Sequence, residues 1–174
     1  MQTVELVFGT KRELLKAVID VAIAGDHQPI PVLQRDWATT AQSTTEVAEF
    51  LAIVGHVVRM VAERVAGLLV VVDEAASTDP EIAALARQLD AQRATTAAWI
   101  VKGIIERVPL RSDLRHEDAE DAVDAIWLLM DPIVFRRLTR DRGRTIDHFQ
   151  HWFTDTIHRL LLPPCECQKF GRRR

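Results

Sequence analysis

Thr3-Val4-Glu5-Leu6-Val7-Phe8-Gly9-Thr10-Lys11-Arg12-Glu13-Leu14-Leu15 reads as the end of one helix, a two-residue break and the capped start of another. Gly9 supplies the permissive backbone that ends the first helix. Thr10 can accept a hydrogen bond from the Glu13 amide while the Glu13 carboxylate reaches back to Thr10, a capping box. Such a corner, met this early, has no first half of a domain before it.

Outward from this corner, breakers divide the chain into helical segments, and no alternating strand-like run appears. An all-α domain is predicted, and 174 residues with 48% hydrophobic content suffice for one core without disulfide or metal support. Net charge is −3 and the pI is near 6.1, so no overall cationic field advertises nucleic acid or an acidic membrane. The longest apolar run, residues 67–72, is too short to span a membrane, and Met1 is not followed by a secretory signal. A cytoplasmic protein that does not enter membranes is expected. Cys165 and Cys167 sit in a polar, proline-led tail without a second ligand pair, so neither a disulfide framework nor a metal site is expected. Positive charge in Arg172, Arg173 and Arg174 closes that tail and reads as solvated.

The first long helix is predicted over 10–24, with Leu14, Leu15, Val18, Ile19 and Ala22 inward and Gly25-Asp26 as its stop. Pro29, Pro31 and a Ser/Thr-rich stretch make residues 26–43 an irregular loop, with Trp37 docked on the core, that could edge a pocket. A second helix starts near Thr44 and carries Val47, Phe50, Leu51, Val54, Val58, Val61 and Val65 on one face, with a bend expected at Gly67. Glu49, His56, Arg59 and Glu63 form its charged side. Asp79 caps the longest element, which has Pro80 in its first turn and ends before Pro109.

On that long helix Arg93 and Thr96 share a side with Ile82, Leu89, Ile100 and Ile104. A guanidinium placed there needs a carboxylate, a run of carbonyls or an acidic ligand, because arginine keeps its charge. An internal ion pair is the bland reading and ligand recognition the sharp one. Leu69, Arg93, Thr96, Trp99 and Trp127 are the candidate pocket residues, suited to a small apolar or aromatic ligand with one acceptor; ordinary core is the competing reading for each.

After a polar loop, Ala122, Val123, Ile126, Met130, Ile133 and Val134 form one stripe of a helix expected to kink at Pro132, while Trp127, Leu128, Leu129 and Phe135 extend apolar surface to its other side. Enclosure within one domain or a second chain explains such a helix, and its place near the C-terminus favours the second. A hinge at residues 140–144 leads to the last helix, with Ile146, Phe149, Phe153, Ile157, Leu160 and Leu161 inward. A twofold dimer through the last two helices follows, with Leu128, Leu129, Phe135, Trp152, Phe153 and Leu160 as interface candidates. On the far face His148, His151, Asp155 and His158 suit either two imidazoles sharing a metal or a solvated surface; the second is preferred.

The opening corner, residues 67–81 with Asp79-Pro80-Glu81, Arg93, the Leu110-Arg111-x-Asp113-Leu114 loop, Asp131-Pro132, Arg142-Gly143 and Trp152 resemble, in order and spacing, TetR-type transcriptional regulators. The resemblance covers nearly the whole chain. It implies an antiparallel helical bundle divided into a remnant of a DNA-recognition helix (1–9), a linker helix (10–25), a ligand-binding and dimerisation domain (26–162) and a flexible tail (163–174). It also implies a homodimer in which an effector in the body changes the spacing of two DNA-reading heads. Thr3 would face the phosphate backbone; Lys11 would contact phosphate or be an exposed lysine. Two helices that precede the recognition helix in such heads are missing, and Glu5 replaces a frequent aromatic, so weak or no operator binding is expected of the chain as written. A stand-alone ligand-binding dimer is the alternative. No phosphate-cradling glycine motif, nucleophile elbow or His-Glu-x-x-His argues for an enzyme, and no cofactor is expected.

Overall fold

A computed structural model describes residues 9–111 and 118–163, which are helical and irregular with no strand among them. Thr3, most of the 1–9 segment, Asp113, Leu114 and the cysteine tail lie outside the described residues. Seven α-helices follow in chain order: α1 (Lys11–Ala24), α2 (Asp36–Ser43), α3 (Val47–Ala76), α4 (Pro80–Ile105), α5 (Asp118–Leu129), α6 (Pro132–Arg136) and α7 (Ile146–Leu161). The all-α expectation holds.

The capping box forms at the start of α1: the Thr10 hydroxyl accepts from the Glu13 amide at 3.2 Å, and Glu13 Oε2 accepts from the Thr10 amide at 2.7 Å. Hydrogen bonding from Thr10 to the carboxylate, its amide first and its side chain second, holds the Glu13 carboxyl below its usual range. Gly9 adopts φ +68° ahead of the cap, and Gly25 at φ +84° stops the helix. The inward stripe is narrower than predicted. Only Ile19 is fully enclosed, packed with Val72, Ile82 and Leu85, while Val18 is exposed because α1 meets the bundle along one edge.

Residues 26–43, expected to be irregular, contain a 3₁₀ turn (Val32–Gln34) and the whole of α2. The cause is nonlocal. Arg107, just beyond α4, donates to the carbonyls of Ala41 (2.8 Å), Gln42 (2.9 Å) and Thr44 (3.1 Å), satisfying the orphan acceptors at the end of α2. Its guanidinium also lies 4.4 Å from the centre of the Phe50 ring.

α3 packs against α1, α2, α4, α6 and α7 and forms the axis of the bundle. It runs unbroken through Gly67, with no interruption at the expected bend; Gly67 is exposed and costs the helix only backbone entropy. Phe50, Val54, Ile100, Ile104, Ile126, Phe149, Phe153 and Ile157 fill the main core at 0–1% exposure. Side chains of this size contribute about 1.5–3 kcal/mol each on burial.

The helix expected to kink at Pro132 is broken there instead. Pro132 bars Asp131 from helical backbone, and Asp131 takes φ −63°, ψ 129° and caps α6 with its carboxylate, accepting from the Ile133 amide at 2.7 Å. A π turn (Arg137–Asp141) and Gly143 at φ +63° then lead to α7, capped by Thr145.

Candidate functional site

Beside α3 lies a half-open cleft of about 1050 Å³. Its floor is aliphatic, built from Val54, Val58, Val61, Val65 and Leu69 on α3 and Leu89 and Ile100 on α4. Lys16, Asp20, Val21 and Ile23 of α1 wall one side, and Trp127, Met130, Asp131 and Ile133 at the α5–α6 break wall another. The 26–35 loop edges it, as anticipated. Arg35 clamps Asp26 there through two hydrogen bonds of 2.8 and 3.0 Å, and this pairing, with the Gln28 amide, lowers the Asp26 pKa to about 2. The volume lies at the upper end of the range usual for small-molecule sites.

Arg93 occupies the junction of three elements. Its guanidinium donates to Asp90 at 2.9 Å, pairs with Asp131 Oδ2 at 3.2 Å and stacks 4.6 Å from the Trp127 ring centre. Asp131 therefore caps α6 with one oxygen and holds Arg93 with the other. Trp127 Nε1 donates to the Asp90 carbonyl at 3.3 Å, tying α5 to α4. Arg93 Nε is buried without a hydrogen-bond partner. The internal ion pair foreseen for this arginine is present.

Of the five candidate pocket residues, Leu69, Arg93, Thr96 and Trp127 line the cleft. Trp99 does not. It is wedged between Trp37 (5.5 Å between ring centres, edge-on) and Phe50 (5.6 Å), and Trp37 takes the place on the cleft wall. Thr96 spends its hydroxyl on the Gln92 carbonyl at 3.1 Å. Asp131 and the α1 wall escaped the reading of single helix faces, because their proximity depends on how helices cross.

Phe135 and Phe153, both proposed for an interface, are enclosed by their own chain at 7% and 0% exposure and have no surface to offer a partner. They pack through Phe149 in an aromatic cluster. Leu128 and Leu160 stand out at 55% and 47% exposure, and Leu129 and Trp152 are half-buried. Lys11 is exposed and only loosely paired with Asp79 at 3.8 Å. Among the described residues no three His, Cys, Asp or Glu side chains gather as a metal site, and no helix is long and apolar enough to cross a membrane.

A second, shallower groove of about 630 Å³ lies between α4 and α5, floored by Ala98, Val101, Ile105 and Val123 and rimmed by charge. The first cleft carries the buried arginine and the tryptophans and is the stronger candidate site. No protein-family model matches the chain, and neither curated proteins nor solved structures give a match.

Proposed function

We propose that the chain is the sensor body of a TetR-like transcriptional regulator: it binds a small apolar or aromatic effector in the α3 cleft and pairs with a second copy. The observation that supports this reading best is the composition of the cleft walls. One wall is α1, the helix that in the resemblance joins the sensor to the DNA-reading head; another is the α5–α6 break, beside the helices assigned to dimerisation. A molecule seated there touches both at once, which is what ligand-dependent signalling requires. The lining joins an apolar floor to a charged rim whose cations are already paired with aspartates, a composition suited to holding a ligand.

Leu69→Trp tests it. The larger side chain takes up part of the cleft floor, so binding of aromatic probes measured by thermal shift should weaken while the helical circular dichroism spectrum is kept. Probe binding that persists at full strength in this variant removes the cleft from the account.

A further inference from the structure

We propose that the cleft selects an organic cation with an apolar body, an inference that rests on the sensor reading above and specifies the class of its effector. Five aspartates line the cleft, Asp20, Asp26, Asp73, Asp90 and Asp131, against two permanent cations, Lys16 and Arg93. Adding the backing Arg35 and Arg64, whose guanidinium lies against Gly25, gives four permanent cations to five carboxylates, an excess of one. Three of the cations are also committed. Lys16 pairs with Asp20, Arg35 with Asp26, and the single guanidinium of Arg93 is shared by Asp90 and Asp131 with its face on Trp127. An anionic ligand would have to pull Arg93 off two carboxylates and break the bridge to the α6 cap.

Asp73 is different. It sits on α3 at the exposed edge of the lining, with no hydrogen bond or ion pair among the described residues. Its charge at the rim, and the half-compensated pair around Arg93, leave a negative edge beside a floor of valine and leucine, a field that added salt screens. An ammonium on a hydrophobic scaffold satisfies both parts: the carbon skeleton covers the α3 floor and the charge meets Asp73.

Three naphthalene probes of one size separate the possibilities: naphthylmethylammonium, naphthylmethanol and naphthoate, titrated into the intact chain by calorimetry and thermal shift. The cation should bind tightest, weaken as salt is raised, and lose about three- to fivefold in affinity in Asp73→Asn, whereas the alcohol should be indifferent to that substitution. The melting temperature of the free variant should match wild type, since exposed Asp73 has no hydrogen bond or ion pair to lose among the described residues. Alcohol or naphthoate binding as tightly as the cation overturns the charge preference but leaves the cleft as a binding site. An unchanged cation affinity in Asp73→Asn overturns the role of Asp73. Failure of all three probes to bind overturns the sensor reading together with this one.

Discussion

Arg93 links α4, α5 and the α6 cap through one side chain, and its removal leaves two carboxylates facing each other with no cation between them. Arg93→Met should destabilise the fold by about 1–3 kcal/mol in chemical denaturation, less than a fully buried pair because Asp90 remains in water. Asp131→Asn should cost less, since the amide oxygen still accepts from Ile133. Equal losses in the two variants would mean that the cap, not the ion pair, carries the junction. Gly103 makes a second residue-scale case. A Cβ there would meet Phe50 ring carbons at 2.8 and 3.1 Å, where backbone and ring are both held in the core, so Gly103→Ala should cost about 1–3 kcal/mol despite the better helix propensity of alanine. Asp26 supplies a pH handle. Its folded pKa of about 2 lies below the ordinary 3.8, so the clamp on Arg35 is intact above that ordinary value and is lost as the pH falls through about 2. An acid titration followed by NMR should show the 26–35 loop loosening in that window, a change absent from Asp26→Asn.

At the scale of elements, the helices with strong local signals were readable and the one held from a distance was not. Thr10 with Glu13 and Asp79 with Pro80 mark starts that the structure reproduces, because each cap is made by residues within a turn of one another. α2 lacked such a signal. Its threonines and serine favour turns in isolation, and its last carbonyls are satisfied by Arg107, more than sixty residues away. The same reason explains the site. Helical spacing puts Arg93 and Thr96 on one face, whereas the meeting of Leu69 and Trp127 with them, and the replacement of Trp99 by Trp37 on the wall, follow from how the helices pack. Phe153 reads as inward and as interface equally well by periodicity; only the packed bundle assigns it to the core. Arg107→Met should melt α2 selectively, seen as loss of hydrogen-exchange protection at 38–43 and a global cost of about 2–3 kcal/mol. Protection retained in α2 would show that its packing on α3 suffices without the clamp.

For the whole molecule, the proposal joins three things: a cleft, a helix on one wall that the resemblance makes the linker to a DNA-reading head, and outer faces of α5 and α7 that keep Leu128 and Leu160 in water. A second copy would remove those leucines from solvent. Sedimentation should therefore give twice the 19.7 kDa chain mass for wild type and the single mass for Leu128→Glu with Leu160→Glu, with helix content unchanged in both. A wild-type monomer at high concentration would detach the pairing from the account while leaving the cleft untouched. The coupling itself is the heart of the proposal, and hydrogen exchange with and without the tightest-binding naphthalene probe addresses it directly. The account predicts slowed exchange in two separated places, α1 along residues 16–24 and the α5–α6 break at 130–133. Exchange unchanged in both at saturating probe would contradict it.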